Sequence, residues 1–164
     1  MRPRTSSREN PAVSCAATEP WRSVVPIGID MRGPDWRGFA EDAAKSLFRL
    51  PGSTSVLTRV AVCEAPIDTL SLAALEGVRT DTLYVATSGG MGPQTLACLD
   101  ALLQGLAAHP EGVLVAATDA DAAGEHYAAH LATMAQAAGV RSERLAPSDG
   151  QKDWNDALKQ GRGA

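Results

Sequence analysis

The chain has 164 residues, a formal net charge of −4, 45% apolar residues and only 4% aromatic ones. That is enough for one α/β-sized core built mainly from Ala, Val and Leu. The acidic balance excludes a protein that coats nucleic acid by bulk electrostatics, so any such contact must be local or carried by a metal. No stretch is apolar enough to span a membrane, and the first residues lack the apolar region of a secretory signal, so a cytoplasmic protein is expected. Cys15, Cys63 and Cys98 form no CxxC or Cys/His cluster, which counts against a zinc site, and Cys63 and Cys98 are expected as buried thiols.

Residues 1–20 are rich in Ser, Thr, Pro and Arg without periodicity and are expected to form a disordered leader. Residues 21–57 are expected to form a small β-rich segment. In it Val24, Val25, Ile27 and Ile29 favour a strand, Arg32-Gly33-Pro34-Asp35 a turn, and Trp36–Phe39 and Lys45–Leu50 two further strands. From residue 58 to 164 a regular alternation follows. Val60–Cys63 is a short apolar run, as in a buried parallel strand. Pro66–Leu75 reads as a helix with proline in its first turn and with Ile67, Leu70, Ala74 and Leu75 on one face. Leu83–Ala86 is a second strand, residues 93–107 a second helix, Val113–Ala117 a third strand, and residues 122–138 a third helix stopped by Gly139. Arg141–Leu145 and Trp154–Lys159 complete the pattern as a fourth strand and a short helix. Such alternation predicts a parallel sheet of about four strands flanked by helices, with ligands at the carboxyl ends of its strands.

Those ends carry acids. Glu64 follows the first strand, Asp68 lies one helical turn further on, and Asp119 and Asp121 follow the third strand. Taken alone, D-x-D reads as a helix cap, and Glu64 as a loop acid. Together these carboxylates repel one another at one rim, and a divalent cation is the natural offset. Magnesium takes hard oxygen ligands, keeps several waters and leaves positions for phosphate oxygens, the basis of metal-assisted phosphoryl transfer.

Three ordered motifs carry a family resemblance: VAVCEAPIDTLSLA with Glu64 and Asp68, VLVAATDADAAG with Asp119, Asp121 and Gly124, and QKDWNDAL with Lys152 and Asp153. With the TSGG loop at residues 87–90, they resemble the Toprim family of primases, topoisomerases and nucleases over residues 58–160. The likeness is greatest to the primase-like Toprim domains of plasmid and mobile-element proteins, relaxase- or mobilisation-associated, and of bacterial DNA primases. It extends weakly to VPIGIDMRG, WRGFA and KSLFRL.

The resemblance implies a Toprim-type, Rossmann-like sheet, magnesium (or manganese) as cofactor, and nucleotidyl transfer on single-stranded DNA or an RNA/DNA substrate with nucleotides. A replication or mobilisation protein is the implied partner. Asp119 and Asp121 correspond to metal ligands. Glu64 corresponds to a further ligand or the general acid/base, Asp68 to a ligand through water or an orienting group, and Asp153 to a second-metal ligand. Asn155 stands where several relatives have an acid. Arg37, Lys45 and Lys152, with Gly89, Gly90 and Gly124, are the candidates for contact with nucleic acid or nucleotide phosphate; solvated cations and plain turn chemistry are their alternatives. A phosphodiester-cleaving nuclease and a non-catalytic accessory that binds nucleic acid or partner proteins are the competing functions. The stretch ahead of the Toprim segment is shorter than a primase polymerase core and has no zinc finger, which implies a truncated relative or one piece of an assembly.

Overall fold

The computed structural model describes residues 30–32, 37–39, 47–53, 56–147 and 150–161. The expected leader and the expected strand over Val24–Ile29 lie outside them. Two short strands, β1 (Asp30–Arg32) and β2 (Arg37–Phe39), pair antiparallel; the expected turn at Gly33-Pro34-Asp35 lies outside the described residues.

The rest is a three-layer α/β unit. Its sheet contains β3 (Phe48–Pro51), β4 (Arg59–Cys63), β5 (Thr82–Ala86), β6 (Val113–Ala116) and β7 (Arg141–Arg144) in the order β3-β5-β4-β6-β7. The last four are parallel, and β3 lies antiparallel along β5. The KSLFRL stretch thus supplies an edge strand to the main sheet, which becomes five-stranded.

β4, β5 and β6 are buried along their whole length, as their short apolar runs require. Alternate residues serve opposite faces. Val60, Val62, Val85 and Leu114 pack against α2 (Pro93–Ala107) and α3 (Ala122–Ala137). Ala61, Cys63, Tyr84 and Val115 pack against α1 (Pro66–Leu75) and α4 (Trp154–Gly161). Cys63 is a buried free thiol whose pKa burial pushes up. Cys98, on α2, is buried and disulfide-bonded, in place of the expected thiol.

The connections β4–α1–β5 and β6–α3–β7 lead in opposite directions along the sheet. Right-handed crossovers then put α1 and α3 on opposite faces. The crevice opened by this reversal lies between the carboxyl ends of β4 and β6, where ligands bind in open α/β sheets.

One helix faces differently from its expected orientation. Leu70 and Leu75 of α1 are 46% and 44% exposed, while Asp68, Thr69, Ser71, Leu72 and Ala73 are buried. The inward polar groups are satisfied locally. The Thr69 hydroxyl donates to the carbonyls of Ala65 and Val85, both at 3.2 Å, and Asp68 Oδ1 accepts the Asn155 N–H at 3.2 Å. Packing against α4 thus decides the orientation of a helix that is apolar on more than one side. Leu70→Gln and Leu75→Gln should each change stability by less than about 0.5 kcal/mol. Leu72→Ala should cost about 2–5 kcal/mol. Urea midpoints measure both; a large loss at Leu70 would reverse the assignment of faces.

Candidate metal centre

Glu64 follows β4 directly, and the Asp119-Ala120-Asp121 loop follows β6. The ladder between these strands continues past their ends, with the Ala117 N–H donating to the Val62 carbonyl at 2.8 Å. Glu64 is thereby held beside the loop, and its Oε1 accepts the Asp119 N–H at 3.2 Å. The next loop of the rim also reaches Glu64: the Thr87 hydroxyl donates to its carbonyl at 3.4 Å. That loop turns through Ser88, Gly89 and Gly90, all at positive φ (54°, 94° and 141°), so the glycines meet a backbone requirement.

The D-x-D loop is folded tightly on the start of α3. Asp121 is the N-cap, and its Oδ1 accepts the Gly124 N–H at 2.9 Å. The Thr118 hydroxyl donates to the Gly124 carbonyl at 2.7 Å. A Cβ on Gly124 would lie 2.1 Å from the Asp119 carbonyl oxygen. Gly124 is therefore needed for close backbone approach.

The third motif closes the site from the side. The Trp154 indole N–H donates to the Ala117 carbonyl at 2.8 Å, and its ring is buried against the sheet. The Ala120 N–H donates to the Lys152 carbonyl at 2.8 Å. Asp153 Oδ1 accepts the Asp156 N–H at 2.8 Å, capping α4, while Asn155 reaches Asp68 as described above. Lys152 Nζ lies 3.3 Å from Asp121 Oδ2.

The electrostatics follow. Burial pushes the Asp119 carboxyl up to about 7, helped by the charges of Glu64, Asp68, Asp153 and Asp121. Asp119 Oδ1 is itself buried with no hydrogen-bond partner. Burial also raises Glu64; the Asp119 N–H opposes that shift and the Asp121 charge adds to it. The Gly124 N–H and Lys152 hold Asp121 below its ordinary value. Among the described residues, no three potential ligands are gathered closely enough to hold a metal ion as they stand. The donor set nevertheless suits a hard cation: its side chains are oxygen donors, Asp119 Oδ1 is an uncompensated acceptor, and magnesium needs few protein ligands.

The structure thus brings together Glu64, Asp68, Asp119, Asp121, Lys152, Asp153 and Gly124, with Gly89 and Gly90 in the neighbouring loop. Arg37 lies in β2 with its side chain outside the described portion, and Lys45 lies outside the described residues. Two contributors escaped sequence reasoning. Trp154 passed as the start of a short helix. Arg144 falls within the expected fourth strand, yet its guanidinium reaches the loop backbone; the Asp119 carbonyl accepts from Nη2 at 2.9 Å. Only the proximity of β7 to β6 could have suggested it.

Fold and site define an α/β domain with an acidic rim at the reversal point of a mostly parallel sheet. A family model described as Toprim-like matches residues 61–158, more than half of the chain, and the chain belongs to that family. No curated protein and no solved structure matches it. Toprim domains typically bind Mg2+ through acidic residues and generally act on nucleic acids, in primases, nucleases and topoisomerases among others. Metal-dependent nucleic-acid processing is the general activity this membership indicates. Among the described residues no helix is long and apolar enough to cross a membrane.

Proposed function

We propose that this chain performs magnesium-dependent phosphoryl transfer on nucleic acid, as the primase-like nucleotidyl transferase domain of a plasmid or mobile-element protein. The observation that carries the reading is the meeting of Glu64 with the Asp119 loop, where Asp119 Oδ1 is buried without a partner. Glu64, Asp119 and Asp121 would hold the ion, with Asp68 and Asp153 behind them. Once bound, the ion supplies charge neutralisation at phosphate oxygens.

The chain's own residues do the rest. Glu64 Oε1 is engaged by the Asp119 N–H, so Oε2 is the atom open either to the ion or to the proton of an attacking 3′-hydroxyl, whose oxygen bonds to the α-phosphorus of the incoming nucleotide as the bond to pyrophosphate breaks. Burial raises the Glu64 carboxyl, making it a better base than an exposed glutamate. Lys152, at the exposed mouth beside Asp121, offers an ammonium to a phosphate, and Gly89 and Gly90 let backbone approach it. Arg37 and Lys45 would grip the strand.

The test is incubation of labelled single-stranded DNA with the protein and Mg2+ or Mn2+, with and without nucleotides. Extension that needs both metal and nucleotide, and stops on chelation, is the expected result. Cleavage without extension would replace this reading with the nuclease one. Retention alone would leave only an accessory. Lys152→Met should flatten the plot of log K against log salt for single-strand binding by about 0.7, the share of one phosphate contact. An unchanged slope removes Lys152 from the interface.

A further inference from the structure

Arg144 stands on β7, the outer parallel strand, where a side chain would ordinarily face solvent. Arg144 stays exposed, yet its guanidinium reaches over the end of β6. Its Nη1 donates to the carbonyls of Ala116 at 3.0 Å, Thr118 at 3.1 Å and Leu145 at 2.6 Å. Its Nη2 donates to the Asp119 carbonyl at 2.9 Å and to Glu125 Oε1 at 2.7 Å, and Nε reaches the same oxygen at 3.1 Å. One planar group thus ties the end of β6, the residue before the D-x-D loop, the loop's first residue and the first turn of α3. The Ala116 carbonyl also accepts the Leu145 N–H at 3.0 Å, whereas those of Thr118 and Asp119 lie beyond the regular ladder, where a strand end leaves acceptors that need a donor. A planar guanidinium with five donors can serve several at once; a lysine ammonium cannot hold the same geometry.

We infer that Arg144 is a positioning residue for the acidic centre: it fixes the backbone of residues 116–119 so that Asp119 faces Glu64. This rests on the proposed metal-binding reading of Glu64, Asp119 and Asp121. The Asp119 N–H and C=O are held from opposite sides, the N–H by Glu64 Oε1 and the C=O by Arg144 Nη2. Arg144 therefore acts on the metal centre through main chain, without touching substrate or ion. The Glu125 side chain is 62% exposed and touches the guanidinium; the residue's other link to the centre is its N–H, which donates to the Asp121 carbonyl at 2.9 Å and is kept in Glu125→Gln.

The experiment compares wild type, Arg144→Met, Arg144→Lys and Glu125→Gln by hydrogen exchange and by Mn2+ binding. In Arg144→Met, peptides covering 116–121 should exchange faster while those covering β4 and β5 stay protected. The Mn2+ dissociation constant should rise by about tenfold to a hundredfold, the usual effect of losing a group that orients ligands. Arg144→Lys should recover little of this, and Glu125→Gln should bind Mn2+ within about twofold of wild type, since it keeps the carbonyl contacts. Unchanged exchange in Arg144→Met overturns the inference. So does faster exchange with unaltered Mn2+ affinity, because the loop's order would then not matter to the centre. Failure of the underlying reading looks different: Asp119→Asn would bind Mn2+ as wild type does, and the inference would fall with it.

Discussion

Asp119→Asn should stabilise the metal-free protein at pH 8 and abolish its metal-dependent turnover. Both effects come from one carboxylate. The unfolded chain releases the Asp119 proton near 3.8 and the folded chain near 7. Between those values the native state holds more protons than the unfolded one, so stability falls as pH rises. The stabilisation linked to the protonated acid is complete below about pH 4 and gone above about pH 7. Asp119 is only half-buried, so solvent screening reduces the penalty to about 1–2 kcal/mol. Asparagine keeps the shape and removes the charge. Its advantage over wild type should be about 1–2 kcal/mol at pH 8 and near zero at pH 4, read from denaturant midpoints.

Metal reverses the balance. Saturating Mg2+ should stabilise wild type by mass action, about 2.7 kcal/mol at a hundred times the dissociation constant, and should leave Asp119→Asn nearly unmoved. Turnover should drop at least a hundredfold, more than is typical for residues that only support a ligand. A variant less stable than wild type at pH 8, or one that keeps its turnover, would remove Asp119 from the centre.

Gly124→Ala should be among the most damaging single substitutions in the chain. The added carbon would sit 2.1 Å from the Asp119 carbonyl oxygen, 2.7 Å from its carbon and 2.9 Å from its nitrogen. All three are backbone atoms, so no side chain can swing aside. Relief requires the loop to move away from α3, which breaks the Thr118 and Asp121 bonds to Gly124 and carries Asp119 off Glu64. A loss of about 3 kcal/mol or more is expected, with weaker Mn2+ binding. Gly105→Ala is the control. Gly105 lies inside α2 with nothing within 4 Å of the position of a Cβ. That change should add about 0.5–1 kcal/mol by restricting the unfolded chain. Equal effects at the two sites would show that the close approach at Gly124 is not real.

The buried strands were readable because residues 60–63, 83–86 and 113–116 have no surface to share with water, so their apolar runs are unbroken. Glu64 and Asp119 were readable as a pair because strand direction alone puts their ends at one rim. Facing was harder. In α1 the buried side includes Asp68, Thr69 and Ser71, and only partners on other elements make that side the inner one. The pairing of β3 with β5 joins segments more than thirty positions apart, and local pattern does not encode it. Arg144 sits in a run, RSER, whose charges look like a solvated edge; its contacts are to main-chain oxygens, which no residue identity announces. Asp121 illustrates the opposite problem. Its type and position suit both a cap and a ligand, and the cap is the role seen here.

The outermost strand of the sheet has a bearing on how this domain can be handled. β5 is buried throughout, and β3 occupies its free side with four residues that precede the segment shared with the family. Pro51, at the end of that strand, has no amide hydrogen to offer a further neighbour. A fragment cut at the family boundary would therefore uncover a row of unpaired amides and carbonyls on an apolar strand, an invitation to intermolecular sheet extension. Phe48–Pro51 is the selvedge of this sheet, and a fragment without it is expected to aggregate where the longer chain does not.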